Sequence, residues 1–204
     1  MKKLITLLLV SVTLNGYGQV VIDNEKIEKL CFEIHNTYRD SSHQRILHKG
    51  CKKAADYQVD YMYKNGVVSH KNPKVGYETQ EERFSKFNTE TIKLKDYYDN
   101  TKYKEYPKYD YDGEIITYSY NHKFSVDSLL EKNISKYIIN NFVKSKGHFY
   151  TMTLNSYKSQ NHYGYFSVRT KVIEYDEKSN QVYLLIYCVG MFGSEGYIPP
   201  NSLF

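Results

Sequence analysis

Apolar residues recur at helical spacing in three stretches of the chain. Between residues 25 and 39, Ile27, Leu30, Cys31, Ile34 and Tyr38 share one stripe, which predicts a helix capped by Asp23 or Asn24. From about 49 to 64, Cys51, Ala54, Ala55, Val59 and Met62 follow the same rule. The Ala54-Ala55 pair lets another element approach closely, and Asn65-Gly66 is a good helix end. Val126, Leu129, Leu130, Ile134, Tyr137, Ile138 and Phe142 predict a helix over 126–144, capped by Ser125 and broken at Gly147, so that His148 stands at its end. Residues 80–87 predict one or two further helical turns.

The pattern then changes period. Gly164, Phe166 and Val168 alternate onto one face of a strand over 162–175, and residues 181–190 are continuously apolar, as in a buried strand. The polar stretch 176–180 joins the two as a hairpin. Residues 118–122 predict a short strand. Over 93–112, Tyr, Lys and Asp alternate with almost no aliphatic residues, which marks an inserted surface loop or hairpin. Helices first and a terminal hairpin last predict an α+β domain with an antiparallel sheet covered by helices.

The first residues add a destination. Lys2 and Lys3 precede an apolar run from Leu4 to Leu14 and then Gly16-Tyr17-Gly18, the layout of an export leader over residues 1–18. That run is too short to span a membrane, so the expected product is a single exported domain over 19–204, extracellular or periplasmic, with no membrane span. A net charge of +5, lowered to +3 by loss of the two lysines, with lysines interspersed among acids, argues against a nucleic-acid partner. Tyrosine is abundant (23) and tryptophan absent, so tyrosines must supply much of the aromatic core and surface. The cysteines, at 31, 51 and 188, allow at most one internal disulfide; Cys31 and Cys51 either bridge or serve as small buried residues on their helical stripes.

Four short motifs lie in register along this chain: His35-Asn36 with Arg39, Ser69-His70 after Ala54-Ala55 and Gly66, Gly113-Glu114-Ile115-Ile116, and Gly147-His148 followed by Leu154-Asn155. In order and context they resemble the CAP superfamily, also called SCP or pathogenesis-related-1-like domains, over most of residues 25–193. Ile115 stands where the family's Gly-Glu-Asn-Ile motif has asparagine. The resemblance implies a three-layer αβα sandwich with a mainly antiparallel sheet and a central cleft where His70, Glu114 and His148 converge. The family's fourth position, glutamate in many eukaryotic members, corresponds to Ser145 here, as in many bacterial relatives.

Two imidazoles and a carboxylate suit Zn²⁺ or another divalent cation, so the metal ligands the resemblance implies are His70, His148 and Glu114. Glu114 could alternatively serve as a base beside an uncoordinated histidine. Ser145 lacks a Gly-x-Ser-x-Gly elbow and is not expected to be a nucleophile. His35, His43, His48, His122 and His162 are read as ordinary structural or surface residues. The expected function is a secreted binding or interaction module taking a small-molecule or lipid ligand, or an extracellular protein partner. A metal-assisted peptidase-like hydrolase using the same cleft is the first rival; an interaction protein working through the Tyr-rich insertion is the second.

Overall fold

The computed structural model describes residues 20–95, 102–154 and 161–196. The expected leader, part of the Tyr-rich insertion, Asn155 and the Pro199-Pro200 tail lie outside them.

The first helix, α1 (Asn24–Asn36), is capped by Asp23, whose side chain accepts from Lys26 N at 3.0 Å. A short strand, β1 (Arg45–Leu47), leads into α2 (Lys49–Asn65). Gly66 closes α2 in the left-handed conformation, φ 64°, which glycine adopts without a Cβ penalty. After an irregular loop, α3 (Gln80–Phe87) starts at Thr79 with a reciprocal capping box to Glu82. These three helices follow the sequence pattern closely, although α1 ends before Arg39.

Next come β2 (Thr91–Lys95) and β3 (Tyr103–Pro107), an antiparallel hairpin apart from the main sheet. The insertion is therefore a hairpin that ends before residue 109. Residues 109–112 instead open a 17-residue strand, β4 (Tyr109–Ser125), which also absorbs the short strand expected at 118–122. The irregularity between Ser119 and His122, with Asn121 at φ 58°, breaks the alternation that would have marked it as one strand.

The helix expected from 126 begins later, as α4 (Leu130–Lys144). Ser125 does not cap it, because Ser125 pairs with Gln181 in the sheet and Val126 N donates to Asn180 O at 2.9 Å. Nor does Gly147 end it. The chain turns at Ser145 and enters α5 (Lys146–Thr153), which contains Gly147 and His148. Finally β5 (His162–Asp176) and β6 (Gln181–Glu195) form the long hairpin, with β6 running past Gly190.

The result is a mixed α/β fold with a four-stranded sheet in the order β1-β5-β6-β4, β1 parallel to β5 and the other pairs antiparallel. Strand β6 alternates between two cores. Leu184, Ile186 and Cys188 pack with Ile27 and Cys31 of α1 and with Ile134, Ile138 and Phe142 of α4. Tyr187, Val189 and Met191 pack with Ala54, Ala55 and Val59 of α2 and with Phe84 of α3. Both faces of β6 are dry, which is why its sequence is continuously apolar. Cys31 and Cys51 sit in different cores, and all three cysteines are free and buried.

Candidate functional site

His70 lies on the loop between α2 and α3, and Glu114 lies on β4, 44 residues away. His70 Nδ1 and Glu114 Oε1 are 3.0 Å apart. The glutamate side chain is fully buried, while the histidine side chain is 38% exposed. The surface therefore shows an imidazole with a carboxylate hidden behind it.

Behind both is Arg83 of α3, also fully buried. Its Nη2 donates to both oxygens of Glu114 at 2.9 Å and to the backbone oxygen of His70 at 2.8 Å, and its Nη1 donates to Tyr77 O at 2.9 Å. A carboxylate paired with a guanidinium only accepts hydrogen bonds, so the proton shared with His70 resides on Nδ1. In the neutral form of the ring Nε2 is left as an acceptor, the arrangement by which a carboxylate orients a histidine.

His148 lies on α5, and its ring makes no hydrogen bond to His70 or Glu114. Its ring meets Phe142 edge-on, centroids 5.4 Å apart. Burial, and then the charge of nearby His70, lower its pKa from the ordinary histidine value. Ser145 has a backbone role: its N–H donates to Phe142 O and its carbonyl accepts from Phe149 N, fixing the junction of α4 and α5. Helix α5 presses on β4 at Gly113, where an added Cβ would lie 2.4 Å from Thr151 Cγ2. The glycine of the Gly113-Glu114 pair thus permits the approach of the His148 helix.

The first motif holds the far end of that helix. His35 Nε2 donates to Met152 O at 3.1 Å, and Arg39 Nη1 donates to Met152 O at 2.7 Å and Leu154 O at 3.1 Å. These bonds occupy carbonyls that a helix end leaves unpaired. The His35 ring stacks on Phe192 at 5.2 Å, and burial lowers its pKa to about 3. Asn36 pairs with both backbone groups of Arg45, each at 3.0 Å, and anchors β1.

A second polar cluster is structural. Arg45 and Ser194 hold Asp112 at 3.0 and 2.9 Å, and buried His162 lies 4.0 Å away. His122 stacks on Tyr137 at 3.9 Å. Neither histidine joins His70. Beside the His70 loop, Tyr61, Ser69, Asn72 and Pro73 line an open cavity of about 430 Å³, within the usual size of small-molecule sites.

The residues do not fit the three-ligand zinc site that the resemblance implies. Both oxygens of Glu114 are bonded to a buried cation, and among the described residues no three His, Cys, Asp or Glu side chains are grouped to hold a metal ion. No helix among the described residues is long and apolar enough to cross a membrane.

Arg83 was not among the expected site residues, yet it left a trace in the sequence. Gln80, Arg83, Phe84 and Phe87 are spaced as one helical stripe, and an arginine on a stripe facing the core needs a buried partner. Searches of family models, curated proteins and solved structures find no match to this chain.

Proposed function

We propose that the chain is an exported CAP-type domain, an αβα sandwich that binds an extracellular ligand through the cleft formed by His70, Glu114 and His148. The observation that carries this reading is the 3.0 Å contact between His70 and Glu114. Two motifs far apart in sequence meet in space as the resemblance requires, and hydrophobic cores on both faces of β6 suit a sandwich. In this reading the cleft offers Nε2 of a carboxylate-oriented imidazole as an acceptor, with His148 contributing from α5. Glu114 is balanced by Arg83, so the ligand it suits is uncharged and carries a hydroxyl or amide donor.

The hydrolase reading has less support, because the carboxylate that would assist a metal or act as a base is already paired with Arg83. Nuclear magnetic resonance of the two histidine rings, with cholesterol and with hexadecanol as probes, both uncharged and carrying a hydroxyl donor, tests the binding reading. A lipid that shifts His70 and His148, with the shift lost in His70→Ala, supports it. Cleavage of a casein probe that disappears in His70→Ala would replace it with the hydrolase. Absence of a through-space contact between the His70 and His148 rings would remove the shared cleft altogether.

A further inference from the structure

Residue His70 sits on an irregular loop, yet its ring meets Glu114 at hydrogen-bond distance. A loop without a ladder of its own must satisfy its inward-facing carbonyls elsewhere, and side chains are the available donors. On one side Arg83 takes the carbonyls of His70 and Tyr77. On the other side is Gln58.

Helix α2 presents Gln58 fully buried, between Ala55 and Val59 on its apolar stripe. An uncharged amide on a core-facing stripe carries a desolvation penalty unless it is bonded, and this one is bonded throughout. Its Nε2 donates to Ser69 O, and to Lys71 O at 3.5 Å, the carbonyls on either side of His70. Its Oε1 accepts from Asn72 Nδ2 at 3.3 Å, which fixes which end of the amide faces the loop. The Asn72 Oδ1 in turn accepts from Lys74 N at 3.1 Å.

We infer that Gln58 is the positioning residue of the cleft: by holding the carbonyls of Ser69 and Lys71, it sets the direction from which His70 meets Glu114. This rests on the reading of His70 and Glu114 as the functional pair. Gln58 touches no ligand itself; it acts through two peptide groups. A hydrophobic residue of similar length fills the same volume but releases both carbonyls, so the loop relaxes and the imidazole loses its single orientation.

The experiment records the imidazole nitrogen resonances of His70 in isotope-labelled protein at neutral pH, where a fixed Nδ1–H tautomer differs sharply from an averaged one. Wild type, Gln58→Met and Val59→Ala are compared, the last removing core packing one residue away. The inference expects a fixed tautomer in wild type and Val59→Ala, and an averaged ring in Gln58→Met. A fixed tautomer in Gln58→Met overturns it while leaving the His70–Glu114 pair standing. An averaged ring in wild type overturns that pair, and the inference with it. Averaging in Val59→Ala as well as Gln58→Met shows a general loosening and also overturns it. If Gln58→Met does not fold, Asn72→Asp substitutes, because an acceptor at that position turns the Gln58 amide around; a fixed His70 tautomer there is equally fatal.

Discussion

Arg83 and Glu114 form a fully buried ion pair, with Nη2 2.9 Å from each carboxylate oxygen, directly behind the partly exposed His70. Two desolvated charges in this position are useful only together. Removing one strands the other, at a typical cost of about 3–5 kcal/mol. Arg83→Met should therefore lower the urea unfolding free energy by about that amount, and Arg83→Lys should restore little, since one ammonium cannot replace a planar donor set spanning a carboxylate and two carbonyls. The double variant Arg83→Met, Glu114→Leu should recover much of the loss. Equal losses in single and double variants would show that the pair is not coupled.

Acid should unfold the protein from a higher pH than carboxylate protonation alone explains. Burial, with Arg45 and Arg39 contributing, lowers the His35 pKa to about 3, and burial lowers those of His148, His48 and His122. A histidine with a depressed folded pKa supplies stability that is complete above its unfolded value, roughly 6.5, and lost as pH falls towards the folded value. For His35 that window runs from about 6.5 to about 3. Each such proton contributes a slope of about 1.4 kcal/mol per pH unit. Glu28 works in the opposite sense: burial raises its carboxyl, so its share falls as pH rises through the raised value. Asp112 adds loss only below the ordinary aspartate range, because His162, Arg45 and Ser194 outweigh its burial and lower its pKa. Urea unfolding from pH 7 to 4 should show the decline, and His35→Phe should flatten it by about one proton. An unchanged slope in that variant would exclude His35 as the source.

The parts of the fold that could be read from the sequence are those where one period ran unbroken. The stripe of α2 ended at a glycine that does adopt the left-handed conformation, and the 181–190 run matched a strand buried on both faces. Misreadings came where two periods met. Val126 belongs to the strand-to-helix turn but sits four residues before Leu130, so helical spacing claimed it; Gly147 looked like a helix end because Ser145, with no distinctive chemistry, makes the turn instead. The His70–Glu114 contact was reached through resemblance, since residues 44 apart have no local spacing to read. Gln58 and Arg83 left polar breaks in apolar stripes, and such breaks identify a buried polar partner without naming it.

The cysteines make a simple check. Cys31 and Cys51 lie in separate cores on opposite faces of the sheet, and Cys188 is fully buried, its thiol raised well above the ordinary value by burial. Thiol titration of unfolded, unreduced protein should find all three, and a reductant should leave the thermal midpoint unchanged. Two missing thiols would show that a bridge forms: one between Cys31 and Cys188 would join residues of the same core, whereas one between Cys31 and Cys51 would require the packing of α1 or α2 to differ from the arrangement here.

The approach of α5 to β4 can be tested through Gly113 and Thr151. A methyl at 113 would sit 2.4 Å from Thr151 Cγ2, with Thr151 Cβ at 3.7 Å, an ordinary contact. Gly113→Ala should thus cost about 1–3 kcal/mol by overpacking, and Thr151→Ala in the same chain should return most of it. The His148 resonance should shift in the single variant and move back in the double, because His148 rides on α5. Additive losses would mean that the helix does not dock on that glycine.

Zinc distinguishes the His70–Glu114–Arg83 arrangement from the ligand set that the resemblance implies. Glu114 is bonded to Arg83 and His70, so a divalent cation would have to displace a buried guanidinium or rely on His70 and His148 alone. Two neutral imidazoles without a third protein ligand fall short of the usual zinc set. Calorimetry with wild-type protein should accordingly give no saturable one-site isotherm at micromolar protein, and free zinc should not raise the thermal midpoint. A saturable isotherm abolished in both His70→Ala and His148→Ala would demonstrate that the imidazoles suffice. An isotherm abolished in Glu114→Gln as well would require the carboxylate to leave Arg83, and the buried ion pair would then be the resting form of a site that opens to bind metal.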